Sequence, residues 1–131
     1  MTPEKVYIGI DLNDERAMVS LFYEGMKQVE TVSAVPGEER FQIPLAVFCT
    51  GQGNYYYGEE ALRRQDRADG TFFTGLFSEA LDPEHVISRN MLVQFLRRLI
   101  RFRERYGLEK MKYCLAVAVP EITDRTVELF N

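Results

Sequence analysis

Val6-Tyr7-Ile8-Gly9-Ile10-Asp11-Leu12-Asn13-Asp14-Glu15-Arg16-Ala17-Met18-Val19-Ser20-Leu21-Phe22-Tyr23 decides how this chain is read. The run from Val6 to Leu12 is apolar, rich in β-branched residues and carries one Asp near its end, which predicts a buried strand. Asn13, Asp14 and Glu15 are polar, and Asn and Asp adopt turn conformations readily, so the chain reverses there. Ala17 to Tyr23 is apolar again and predicts a second strand. Glu24-Gly25 marks another turn, and Val29 to Val35 predicts a third strand. Three consecutive strands joined by tight turns imply an antiparallel meander.

Beyond it the pattern changes. Pro36-Gly37-Glu38-Glu39 predicts a loop. Ile43 to Cys49 reads as a strand, with Pro44 at its start or on a sheet edge. Gly51-Gln52-Gly53 turns the chain into a short strand at Tyr55–Tyr57. Glu59 to Gln65 reads as a short helix, its glutamates in the first turn as the helix dipole favours. Phe72, Phe73, Leu76, Phe77, Ala80 and Leu81 recur at helical spacing, and a helix is assigned to Thr74–Leu81. Residues 36–82 therefore form an insertion of strands and short helices.

The longest element is expected from Pro83 to Tyr106, with Asp82 as N-cap and Pro83 at the first helical position. Ile87, Met91, Leu92, Phe95, Leu96, Leu99 and Ile100 make its apolar stripe, and Gly107 takes the C′ position. Met111 to Val119 follows as a strand. Its wholly apolar stretch from Cys114 predicts cover on both faces, as in a parallel pair. Pro120 closes it, and Ile122 to Phe130 reads as a helix with Thr123 as N-cap and Thr126, Val127 and Phe130 on one side. A strand–helix–strand crossover of this kind returns the last strand parallel to an early one.

Composition limits the class. The chain has 131 residues, 46% of them hydrophobic and 27% charged, with seven Tyr and nine Phe. That is an ordinary globular composition, enough for one domain with a true core. A net charge of −4 argues against a dedicated nucleic-acid binder. Two cysteines, Cys49 and Cys114, make no disulfide framework and are expected as buried thiols. The single His85 leaves no multi-histidine metal site. The N-terminal residues lack the basic and apolar regions of a signal peptide, and no stretch approaches bilayer length. The expectation is a cytoplasmic protein without membrane or nucleic-acid partners.

The predicted order resembles the ribonuclease H-like core, and three motifs narrow the likeness. Val6 to Leu12 with its following turn resembles the first phosphate motif of the actin, heat-shock chaperone and sugar-kinase superfamily. Ile43-Pro44-Leu45-Ala46-Val47-Phe48, then Tyr57-Gly58-Glu59-Glu60-Ala61, resembles the chaperone branch. Cys114-Leu115-Ala116-Val117-Ala118-Val119-Pro120 resembles that branch's later core strand. The resemblance runs from about Tyr7 to Asn131. It implies an actin-like ATPase half-lobe, an α/β fold with a three-strand meander, a parallel fourth strand and a small inserted strand-helix unit. The family's second phosphate and adenosine motifs come later, so the chain is expected to be the N-terminal piece of a longer protein.

The resemblance also implies ATP and Mg²⁺ as ligands, with Asp11, Leu12, Asn13, Asp14 and Glu15 at the phosphate turn and Asp11 holding water on the magnesium. A tight turn of backbone N–H donors is an anion cradle. This sequence departs from that pattern. The family's Gly is Asn13 here, and its two Thr positions are Asp14 and Glu15. Carboxylates beside a triphosphate add repulsion, about 1 kcal/mol per solvated pair at ~4 Å. Between Gln65 and Leu81 there is no Lys to serve as the branch's catalytic lysine, and Arg67 alone is basic. Two readings follow. In one, hydrolysis is weakened or lost and the protein acts through protein partners. In the other, it is a working ATPase completed by residues beyond 131. A ribonuclease H-type nuclease is disfavoured, because Cys114 to Val119 offers no carboxylate for a second metal ligand.

Three further features have plain alternatives. Asp11 is either the magnesium residue or a strand-end Asp, and Asp14 and Glu15 are either ligands of a separate metal or exposed turn residues. Arg89, Arg97, Arg98, Arg101, Arg103 and Arg105 are either a basic face that docks phosphate or RNA or, as expected, a solvated helix face. Tyr55-Tyr56-Tyr57 reads either as packing or as an exposed recognition strip, since strand alternation buries Tyr56 or its two neighbours and not all three.

Overall fold

The computed structural model describes residues 5–23, 29–35, 37–108 and 110–130. Alternation builds the main sheet. In β1 (Lys5–Leu12) Val6, Ile8, Ile10 and Leu12 are buried, while Tyr7 and Asp11 point the other way. In β2 (Arg16–Tyr23) Ala17, Val19 and Leu21 are buried on the same side. β1 and β2 pair antiparallel through the turn at residues 13–15. β3 is only Glu30–Thr31. The expected third strand breaks off after one further bond, from Val32 N to Val19 O, because Ser33 Oγ folds the chain into a turn by donating to Val35 O. The expected turn at Glu24-Gly25 lies outside the described residues.

The crossover is α3 (Val86–Ile100), reached after the insertion, and β8 (Lys112–Ala118) returns beside β1 in parallel, Ile8 opposite Leu115 and Asp11 opposite Ala118. The order in the sheet is β3-β2-β1-β8, and the fold is α/β with mixed pairing.

The stretch from Ile43 to Cys49 is not one strand. Ile43–Pro44 (β4) pairs with the start of β2 in the main sheet, and Val47–Thr50 (β5) belongs to a second sheet. The chain changes sheets at Leu45 and Ala46, where Leu45 N donates to Glu15 O at 2.9 Å. In the second sheet β5 lies between Tyr55–Tyr57 (β6) and Gly70–Phe73 (β7). β7 corrects the helical reading of Phe72 and Phe73. Their spacing relative to Leu76 and Phe77 mimics a helix, but their backbone pairs with Phe48 and Val47. The short helix α1 (Glu59–Leu62) ends earlier than expected, and α2 (Leu76–Ala80) puts Leu76, Phe77 and Ala80 into the main core. Within residues 36–82, β4 pairs with the main sheet and α2 packs into the main core.

α3 (Val86–Ile100) starts three residues later than expected, with His85 as N-cap. Asp82 instead holds a preceding turn, accepting Glu84 N on Oδ1 at 2.9 Å. Met91, Leu92, Phe95 and Leu99 are buried, but Ile87 is 64% exposed, because the first turn of α3 projects beyond the core. The helix tightens to a 3-10 coil over Arg101–Tyr106 and stops at Gly107, whose φ of 69° closes it as the sequence predicts. α4 (Asp124–Phe130) opens with a reciprocal cap. Thr126 N donates to Thr123 Oγ1 at 3.3 Å, and Thr123 N donates to Thr126 Oγ1 at 2.7 Å. Thr126 is buried, whereas Val127 points outward and is 51% exposed.

β8 departs most from expectation. Its apolar run predicts cover on both faces, yet Tyr113 and Leu115 are 45% and 41% exposed, and Cys114, Ala116 and Ala118 are exposed on the reverse side. Among the described residues β1 is its one strand neighbour. Cys114 is accordingly exposed and Cys49 half-buried, both free. Among the described residues no helix is long and apolar enough to cross a membrane.

Candidate functional site

The β1–β2 turn brings Asp11, Leu12, Asn13, Asp14 and Glu15 together at one end of the sheet, and each has a distinct position. Asp11 is exposed on the face away from α3, in a shallow depression with Gly9, Met18, Ser20 and Ala118. Leu12 is 1% exposed and its side chain belongs to the core, so only its backbone is left for a ligand. Asn13 organises the turn. Its Oδ1 accepts Glu15 N at 2.8 Å and Arg16 N at 3.0 Å, and its own N–H donates to Arg16 O at 3.1 Å. The N–H groups of residues 13, 15 and 16 are therefore satisfied within the turn.

Asp14 reaches across the fold to α2. Its Oδ1 accepts Ser78 N at 2.7 Å and its Oδ2 accepts Ser78 Oγ. α2 begins at Gly75, in the left-handed region and without a side chain to cap the helix. Asp14 thus supplies from far away in sequence the carboxylate that a helix start favours, through a bond to one of its first N–H groups. Replacing it with Ala should cost about 1 kcal/mol, the usual worth of a side-chain cap. Chemical denaturation checks this, and an unchanged midpoint would mean the clip carries no stability. Nothing in the sequence signalled this partnership, because Ser78 lies on a different element.

The fit to a nucleotide follows from these bonds. A phosphate cradle needs free donors. Here three of the turn's N–H groups are taken, one carboxylate is fixed on Ser78, and Glu15 adds another. Among the described residues no group of three or more His, Cys, Asp and Glu gathers as a metal site. Arg67, the one basic candidate for the lysine role, is bound to Asp69 by two bonds of 3.1 and 2.9 Å in the inserted unit. The residues present do not fit a triphosphate at this turn.

The other singled-out groups have structural work. Tyr55 and Tyr57 stack at 6.3 Å on one face of β6, and Tyr57 meets Phe95. Tyr56 turns to the opposite face, beneath the Arg64 guanidinium and against Phe48, Ala61 and Phe72. No continuous tyrosine strip results. Burial raises the Tyr57 phenol above its ordinary value, and the neighbouring Cys49 thiol does the same to Tyr55. The arginines do not form a simple solvated face. Arg89 Nε donates to Ala80 O at 2.7 Å, Arg103 to Ile100 O at 3.0 Å, and Arg105 to both Ser33 O and Ala34 O at 2.5 and 3.1 Å. Arg97, Arg98 and Arg101 match the expected role, all three exposed near the helix C-terminus, with Arg101 in a surface ion pair to Glu104 at 3.5 Å.

Residues 28–131 match a protein-family model described as "Family of unknown function (DUF5716) C-terminal". The matched stretch takes in β3, the inserted sheet, α3, β8 and α4, and begins after β1 and β2. No curated protein matches the chain.

Proposed function

Since the chain belongs to the DUF5716 C-terminal family, whose description names no activity, we propose from its own geometry that it is a divergent ribonuclease H-like module of the actin and heat-shock chaperone kind. In it the phosphate turn has become a structural clip, hydrolysis is weakened or lost, and the protein works through contacts with other proteins. The strand order supports the first part: an antiparallel meander, a helical crossover and a parallel β8 beside β1. The observation that carries the second part is the binding of Asp14 to Ser78, where the resembling family presents donors to a triphosphate. The third part is supported by bare apolar surface. Tyr7 and Phe22 stand exposed beside Gly9, Ser20, Cys114 and Ala116 on the sheet face opposite α3. Contiguous exposed apolar surface of this kind marks contact sites.

One observation favours the alternative of a working ATPase completed elsewhere: Asp11 is exposed at the end of β1, on the open face. Titration calorimetry with ATP and Mg²⁺ separates the two. The proposal expects no binding heat and no phosphate release. Saturable heat that disappears in Asp11→Ala would sink it and restore the ATPase reading.

A further inference from the structure

We propose that the half-enclosed cavity between the inserted sheet and α3 binds a small carboxylic acid carrying one ring, its apolar body inside the cavity and its carboxylate at Tyr57 and Arg98. This goes beyond the reading of the chain as a protein-contact module and does not rest on it.

The cavity is walled by elements that pack on one another within this chain. One wall is Ala34 and Val35, just after β3. A second is Tyr57 of β6 with the start of α1. The third is Phe95 and Leu99 of α3 with Phe102 of its 3-10 extension. No residue of β8 or α4 lines it, and it lies on the β3 side of the main sheet, away from β8.

Its floor is apolar. Ile43, Phe95, Leu99 and Phe102 are all buried. Its volume is about 180 Å³. An apolar cavity of about 150 Å³ lined by Leu, Ile and Phe takes up one benzene. The space here therefore suits a single ring with a short arm.

Two of the lining groups are donors that lack an acceptor among the described residues. The half-buried Tyr57 hydroxyl makes no hydrogen bond, and Arg98 makes no ion pair, its guanidinium lying only over the Phe102 ring at 5.6 Å. Burial raises the Tyr57 phenol, which keeps it protonated and able to donate, while the guanidinium groups of Arg98 and Arg101 act against that rise. The charge felt at the hydroxyl is thus positive, and among the described residues no carboxylate acts on it. The carboxylates of the rim are engaged or solvated. Glu59 accepts Arg40 Nη1 at 2.8 Å and lies 3.8 Å from Arg63 Nη2, and Glu60 is exposed. A ligand carboxylate satisfies both unpartnered donors at once, and hydrogen bonds between ionised partners are the strong ones. An apolar cavity with a few convergent polar groups is the ordinary form of a small-molecule site.

Fluorine NMR of the 131-residue chain with para-fluorophenylacetate tests the assignment, with para-fluorophenylacetamide as the uncharged probe of the same shape. The acid should bind saturably, and at least tenfold more tightly than the amide. Arg98→Gln should weaken the acid about tenfold and leave the amide unmoved, with Arg98→Lys falling between the two. Tyr57→Phe, which keeps the ring against Phe95, should weaken the acid several-fold. Val35→Trp, at a lining position that is already 37% exposed, should fill the mouth and abolish binding of both probes while circular dichroism stays that of the folded chain. Absence of saturable binding would overturn the proposal. So would equal affinity for acid and amide, an acid affinity indifferent to Arg98→Gln, or binding that survives in a folded Val35→Trp chain.

Discussion

Phe95→Ala should remove a large share of the folding free energy, about 3–5 kcal/mol as for other buried Phe truncations. Phe95 is fully buried at the middle of α3. It stands where three parts of the molecule meet. It belongs to the same core cluster as the buried residues of β1 and β2, and its ring lies 6.4 Å from that of Tyr57 in the inserted sheet, inclined at 60°. A cavity of about 180 Å³ already adjoins it, lined also by Ile43, Tyr57, Leu99 and Phe102. Truncation would enlarge that space, and the surrounding elements are anchored separately, so they close in poorly. Where a site cannot collapse, the loss lies towards the upper end of the range. Domains of this size are stable by roughly 5–15 kcal/mol, so the variant should sit near its threshold. A urea titration that moved by less than about 1 kcal/mol would show that α3 is not the joint between the two sheets.

Gly70→Ala is the second large effect, and it should be local. Gly70 opens β7 opposite Thr50. A Cβ there would stand 2.4 Å from Cys49 O and 2.8 Å from two ring carbons of Phe48. The carbonyl is part of the β5 backbone and has no rotamer to change. Phe48 is 1% exposed and has nowhere to go. Overpacking typically costs about 1–3 kcal/mol and more where the backbone must shift. The expected result is detachment of β7, seen as lost amide protection along β5 and β7 while β1 and β2 keep theirs. Gly51→Ala is the control, since a Cβ at Gly51 meets nothing within 4 Å. Equal protection in both variants would mean that β7 does not pair in this register.

These two positions show what a one-dimensional reading reaches. Phe95 was legible as core because Met91, Leu92, Phe95 and Leu99 repeat at helical spacing. Gly70 was not. Its neighbours Phe72 and Phe73 share a spacing with Leu76 and Phe77 that suits a helix, and only the β5 backbone across the gap made them a strand. The same holds at the turn. Asn13, Asp14 and Glu15 were recognisable as a departure from a phosphate motif. The sequence had no means of saying that Asp14 would cap α2 through Ser78, since such a bond depends on where the chain returns.

Local periodicity and end signals were enough to place β1 and β2 as strands, most of the apolar stripe of α3, the stop at Gly107, the Thr123 cap and the parallel return of β8 to an early strand. These depend on forces between near neighbours or on the handedness of a crossover, and both are written into consecutive residues. Tertiary structure alone decided which strand ends the sheet, where the chain leaves one sheet for the other at Leu45 and Ala46, and what the turn carboxylates hold. Those outcomes depend on which surfaces have a neighbour. An apolar run such as Cys114 to Val119 is the same in composition whether it is covered or bare.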